Sequence, residues 1–200
     1  METDKTALIV ALTGATGSVY GLTLARRVLE QQVPLYLLIS ETGREVLRQE
    51  TGRDWQEWRR ELNSLGQMET PDVQNLGAAV SSGSFPVRGM VAAPCSMGAL
   101  GRIAAGISGN LIERAADVCL KERRRLILLT RETPLSAIHL QNMLTVTQAG
   151  GIIMPPVPAF YTNPRTVEDL VDQTVNRVMD LLSLPVPGAS RWQGQGSEKP

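Results

Sequence analysis

Cysteine and histidine are scarce in this chain, and their scarcity removes whole classes of function. Two cysteines, Cys95 and Cys119, and one histidine, His139, cannot complete a four-ligand zinc site, and two cysteines cannot build a disulfide framework. The expected compartment is therefore the reducing cytoplasm. Charge of either sign is not in excess: twenty basic residues balance twenty acidic ones, so no global field recruits nucleic acid or an anionic membrane. Long hydrophobic runs are missing too. The apolar stretch near the N-terminus spans about seven residues before a glycine turn, too short for a bilayer, and no signal-peptide cleavage pattern accompanies it. It reads as a first strand, and specificity must come from a local site.

What is present suits one domain: 200 residues, 42% of them apolar. ALIVAL (7–12), VPLYLLIS (33–40), GMVAAP (89–94), RLILLT (125–130) and GIIMP (151–155) are short apolar runs without alternation, as expected of strands buried on both faces. Helical spacing lies between and after them, in the stripes Val19, Leu22, Ala25, Leu29 and Val167, Val171, Thr174, Val178, Leu181. Alternating strands and helices predict an α/β fold, a single doubly wound, Rossmann-like parallel sheet with helices on both faces and right-handed crossovers. Residues 54–66 read as a polar helical insert carrying two tryptophans, and 69–84 as a turn-rich binding loop ending in AAVSSGS. The expected domain covers residues 1–184, with an extended proline- and glycine-containing tail over 185–200.

In such a sheet, ligands bind beyond the carboxyl ends of the strands. After the first strand comes TGATGSVYG (13–21), whose glycines permit tight turns and whose succeeding helix is expected to aim its open amides at an anion. From this turn alone, three readings stand: a dinucleotide's diphosphate, a single phosphate, or a plain strand-to-helix turn. A short-chain reductase would need a tyrosine four residues before a lysine, but Tyr20, Tyr36 and Tyr161 have Leu24, Ser40 and Arg165 at that spacing. Small residues at 96–101 would let a planar or phosphate-bearing ligand approach the backbone closely. Arg114 and Lys121 stand two helical turns apart on one face, able to share a phosphate, whereas the run KERRR (121–125) reads as a solvated helix end. Cys95 reads as a small buried residue and His139 as a packing residue.

The motifs TGATGSVYG, SSGSF, APCSMGAL, NLIERAADVCLKERR, TRETPLSAIHLQNM, GGIIMPPVPAFY, VEDLVDQTVNRV and SRWQG, collinear over nearly the whole chain, resemble the UbiX-type flavin prenyltransferases. The resemblance implies an enzyme joining a dimethylallyl group from dimethylallyl phosphate to N5 and C6 of reduced FMN, without a metal. The prenylated FMN then serves UbiD-type decarboxylases. One phosphate, that of FMN, is thereby preferred over a dinucleotide's pair. It also implies a homo-oligomer, a dodecamer with sites shared between subunits, and partners that include neither nucleic acid nor membrane. Within the same flavoprotein group, a cysteinyl-peptide or phosphopantothenoylcysteine-type decarboxylase and a non-catalytic flavin carrier are the alternatives.

Residue by residue, the resemblance assigns Gly14, Ala15, Thr16, Ser40, Ser96, Met97, Gly98, Ala99 and Arg131 to flavin binding. It assigns Tyr161, Arg177, Lys121, Arg114 and Trp192 to the prenyl donor, and Glu132, Glu50 and Thr16 to catalysis. The chemistry suits them. Cleaving an allylic carbon–oxygen bond builds negative charge on the departing phosphate, which cations and a phenol stabilise, and positive charge on the carbon fragment, which π-faces shield. Bonding to C6 needs proton transfers, for which a carboxyl is suited when burial raises its pKa toward neutrality. Glu132 is the first candidate and Glu50 the second. Thr16, Ala99 and Glu41 depart from the family's usual serine, threonine and lysine, and flavin binding is expected to survive all three.

Overall fold

Strands that must bury both faces can be apolar throughout, and the central ones here are. In the computed structural model, which describes residues 6–189, β1 (Ala7–Leu12) is buried from end to end, as is β2 (Leu35–Ile39). Each fully buried leucine or isoleucine contributes about 2 kcal/mol of transfer free energy. A two-residue strand, β3 (Met68–Glu69), pairs with β2 at one edge of the sheet. Sequence periodicity passes over it because two residues carry no period. β4 (Val87–Cys95) and β5 (Arg125–Thr130) extend the sheet on the other side, and β6 (Ile152–Ile153) ends it. All pairings are parallel, in the order β3-β2-β1-β4-β5-β6. The chain winds outward from β1 to β3 and returns to place β4 beside β1, so the order reverses between those two strands, where ligands of open α/β sheets bind.

α1 (Ser18–Glu30) covers one face of the sheet, burying Leu22, Leu24, Ala25, Val28 and Leu29. Val19, expected in that stripe, is 43% exposed. Gly21 is what lets α1 lie so close, since a Cβ there would run into the Ala93 carbonyl oxygen of β4. α2 (Glu41–Thr51) comes after β2, and the insert forms α3 (Trp55–Asn63) behind a capping box in which Asp54 accepts from the Glu57 amide (2.9 Å) and Glu57 from the Asp54 amide (2.8 Å). The other face carries a second buried core: Ile9, Ala11, Leu38, Met90, Ala92, Leu126 and Leu128 pack with Leu100 and Ile103 of α4 (Met97–Ala104) and with Ile112, Ala115 and Cys119 of α5 (Leu111–Lys121). α6 (Ala137–Gln148) precedes β6.

The chain divides after Pro156 into two compact units. The sheet and α1–α6 form the first. The second begins at Val157 and contains α7 (Val167–Leu181), opened by a capping box between Thr166 and Asp169. α7 buries Val171, Thr174, Val175, Val178 and Met179, while Val167, at its first position, is 69% exposed.

Candidate active site

At the switch point a threonine ties two strand ends together. The buried Thr13 hydroxyl donates to the Pro94 carbonyl (3.0 Å) and accepts from the Ser96 amide (2.8 Å), joining the end of β1 to the end of β4. Sequence reasoning missed it, although a hydroxyl ending an otherwise apolar strand was a signal.

From Thr13 the chain turns through Gly14, Ala15 and Thr16 into α1. Gly17, at φ 105°, occupies the left-handed region that favours glycine. The amides beyond it do not await a ligand's anion. Glu50, on the last turn of α2, accepts from the Gly17 and Ser18 amides (2.8 Å each) and from the Thr16 hydroxyl. The expectation of a phosphate at this helix end is thus corrected: the positive end of α1 is met by a side-chain carboxylate. Burial alone would push the Glu50 carboxyl up, but the hydrogen bonds from Thr16, Gly17 and Ser18 outweigh it and hold the group below the usual glutamate range. The expectation that burial carries Glu50 toward neutrality is overturned for the same reason.

The insert fixes Glu50 in place. The Trp58 indole donates to Thr51 at the end of α2 (3.1 Å), Arg53 lies 4.0 Å over the Trp58 ring, and Glu61 joins Arg53 (2.7 Å) to Arg26 of α1 (2.6 Å). A segment that read as a polar insert is therefore the buttress holding α2 against α1.

Further candidates lie at neighbouring strand ends. Ser40 caps α2 by accepting from the Gly43 amide (3.0 Å), while its own amide donates to Leu12 at the end of β1 (3.0 Å). Ser96 caps α4 by accepting from the Ala99 amide (3.3 Å). Neither α1 nor α4 has an acidic residue in its own first turn; the start of α1 receives the Glu50 carboxylate from α2. Gly98 is exposed, and a Cβ there would meet nothing nearer than Arg102 at 3.4 Å, so a ligand can come close to this backbone. Met97 is half-buried and Ala99 buried on either side of it. Past β5, the Arg131 amide donates to the Cys95 carbonyl (3.1 Å). Its guanidinium lies 3.7 Å from Glu132, whose exposed carboxylate also accepts from the Thr133 amide (3.1 Å). Cys95, wholly buried, has its thiol pushed up to about 12 by desolvation, so it is no nucleophile.

A second cluster forms where α5 meets the turn-rich segment. Arg114 donates to the Ser81 carbonyl (3.1 Å) and pairs with Asp117 (2.7 Å), and Lys121 pairs with Glu122. Arg124, expected on a solvated helix end, instead clasps the Gly83 and Phe85 carbonyls (2.6 and 2.9 Å). The segment has few backbone partners of its own, and the arginine satisfies two of its carbonyls. Tyr161 and Arg177 belong to the second unit and are exposed there, Arg177 on α7. Trp192 lies outside the described residues. His139 is not a packing residue but a cap of α6: its amide donates to Ser136 Oγ (3.2 Å) and its Nδ1 accepts from the Ser136 amide (3.3 Å). Position three of a helix favours any acceptor that reaches back to the capping residue.

Among the described residues, no helix is long and apolar enough to cross a membrane, and no group of three or more His, Cys, Asp or Glu side chains converges as a metal site would require.

A family model described as Flavoprotein matches residues 1–179. A probable UbiX-like flavin prenyltransferase of Bacillus subtilis (strain 168) is 45% identical, the match covering 98% of this chain and 93% of that one. Among solved structures, AnUbiX (PadA1) in complex with FMN and dimethylallyl pyrophosphate aligns at TM-score 0.88 and 43% identity, over 94% of this chain and 98% of its own. A dodecameric FMN-dependent UbiX-like decarboxylase from Escherichia coli O157:H7 aligns at TM-score 0.87 and 42% identity, over 94% of this chain and all of the other.

Proposed function

The chain belongs to the Flavoprotein family and, within it, to the UbiX-type flavin prenyltransferases; we infer that it transfers a dimethylallyl group to N5 and C6 of reduced FMN. The observation carrying this reading is the near-complete structural match, at TM-score 0.88, to a protein that holds FMN and dimethylallyl pyrophosphate together.

The residues present fit FMN. The first turn of α4, capped by Ser96 and without an acid of its own, follows the strand end to which the Arg131 amide is bonded, and its amides and the Arg131 guanidinium would bind the phosphate. Thr16, Ser40 and the Ser96–Ala99 turn would bind and orient the flavin. Reduced FMN, when bound, supplies the nucleophilic nitrogen and ring carbon that receive the prenyl group. Because the Thr16 hydroxyl donates to Glu50, its lone pairs are left to accept, so Thr16 Oγ1 would take the N5 proton as it passes its own to Glu50. Glu50 would take the accepting end because the Thr16 hydroxyl already donates to its carboxylate. Glu132, exposed beside Arg131, would manage the proton transfers that bonding to C6 requires.

Lys121 and Arg114, with Tyr161 and Arg177, would hold the donor's phosphate, each bond tightening as the leaving oxygen gains charge. Dimethylallyl monophosphate is the proposed donor, and Trp192 the proposed shield of the prenyl fragment. Residues 1–184 would act as one functional domain, with 185–200 as its tail. A cytoplasmic homo-oligomer, a dodecamer like its Escherichia coli neighbour, is the expected form, supplying prenylated FMN to UbiD-type decarboxylases. α6 favours assembly, since Ile138, Leu140 and Leu144 are 71%, 53% and 49% exposed on one short helix.

The test is direct. Purified protein, reduced FMN and dimethylallyl monophosphate are incubated without oxygen, and the flavin is weighed by mass spectrometry. Prenylated flavin is expected. Unmodified flavin with both the monophosphate and the diphosphate donor, or carbon dioxide released from a cysteinyl peptide, would overturn the reading.

A further inference from the structure

The segment between the short 3₁₀ turn Ala79–Ser81 and β4 has little regular structure, yet it is fastened at several points. Its backbone makes two turn bonds, Ser82 amide to Ala79 (3.1 Å) and Phe85 amide to Ser82 (3.3 Å). Side chains add the rest. Arg124 donates to the Gly83 and Phe85 carbonyls, Arg114 to the Ser81 carbonyl, and the Phe85 ring meets Tyr36 edge-on at 5.7 Å. The Ser82 and Ser84 hydroxyls stand 2.9 Å apart. Fastened in this way, the loop presses on the end of α5: a Cβ on Gly83 would lie 2.5 Å from Lys121 Nζ and would also strike the Glu122 carboxylate. The loop backbone is thus a wall against which the Lys121 ammonium is placed.

We propose that Arg124 is a positioning residue: by holding two carbonyls of the 81–85 loop, it fixes the wall that sets where Lys121 meets the donor's phosphate. The inference rests on the functional reading above and adds to it a residue that touches neither reactant. Its planar fork matters more than its charge. Two carbonyls at a fixed separation suit a guanidinium, whereas a lysine ammonium at the same place would reach one of them.

Steady-state kinetics on the full-length protein tests this with Arg124→Met and Arg124→Lys, alongside FMN affinity from flavin fluorescence. For Arg124→Met, KM for dimethylallyl monophosphate should rise about tenfold while kcat and FMN affinity stay within about twofold. Arg124→Lys should fall between, at about threefold. Full restoration by lysine would make the residue a source of field alone and overturn the proposal. So would an unchanged KM, or an FMN affinity that falls in step with KM, the mark of general damage. If Arg124→Met does not fold, Gly83→Ala poses the question from the other side: its methyl displaces the Lys121–Glu122 pair and should raise the same KM, and an unaltered value there would also sink the idea. A wild-type protein that prenylates nothing overturns the functional reading and this role together; an active wild type with unaffected variants overturns this role alone.

Discussion

Two helices begin beside the switch point, and their first turns are filled in opposite ways. At α1, Glu50 supplies the negative charge, bound by two amides and a hydroxyl. At α4, the cap is Ser96 Oγ on the Ala99 amide, an uncharged acceptor from the chain's own preceding residue. The glycine-rich turn therefore does not do what such turns do in dinucleotide-binding folds. Its helix end is occupied from within, and what it presents outward is the hydroxyl of Thr16. The plainer turn at 96–99 is the one suited to a ligand's anion.

Putting an acid into α4's first turn is the severest way to break this contrast. Gly98→Asp should leave folding intact, because acids near helix starts are favourable and there is room for the side chain, yet it should weaken FMN binding by about a hundredfold or more, read by fluorescence titration. Next in size, Glu50→Gln should slow prenyl transfer by about tenfold to a hundredfold with FMN affinity little changed, because the Thr16 hydroxyl loses its proton acceptor. An equal loss of flavin affinity would show that Glu50 belongs to the binding surface instead.

The same substitution sharpens the contrast in stability. A carboxylate capping α1 at an exposed position is worth about 1 kcal/mol at neutral pH. Since the folded pKa of Glu50 is depressed, that contribution is present above the ordinary glutamate pKa and disappears as pH falls through the lower folded value. Wild type and Glu50→Gln should therefore differ in urea midpoint at pH 7 and converge in strong acid; a gap that persists there would contradict an ionised cap. The smallest effect is expected directly behind α4's turn. Cys95→Ala should keep activity within about threefold, and iodoacetamide should leave native Cys95 untouched for as long as the protein stays folded.

Much of the fold was legible because buried parallel strands announce themselves as unbroken apolar runs: ALIVAL and RLILLT coincide with β1 and β5 residue for residue. β3 was not, since a two-residue edge strand is defined by its partner rather than its composition. Within the site, Ser40, Ser96 and Arg131 could be placed because each stands just past the carboxyl end of an apolar run. What pattern reading could not supply was pairing across long separations. Thr16 and Glu50 are 34 positions apart, and Arg124 and Gly83 are 41 apart. Helix-end chemistry suggested that an anion would come to α1, but not that the chain carried its own. In the run 121–125 three arginines follow one another without distinction, and only the loop packed on it singles out Arg124.

Thr13 carries an implication for anyone wishing to rebuild this pocket. One oxygen atom locks the floor beneath both helix starts into a single plate, so the two starts cannot be re-angled independently. A valine of nearly the same shape would fill the space and leave the Pro94 carbonyl its bond from the residue-13 amide (3.1 Å), but would orphan the Ser96 amide, at a cost of about 1–3 kcal/mol. Redesign for bulkier donors is better aimed at the walls, where loops are strapped on by side chains, than at this keystone.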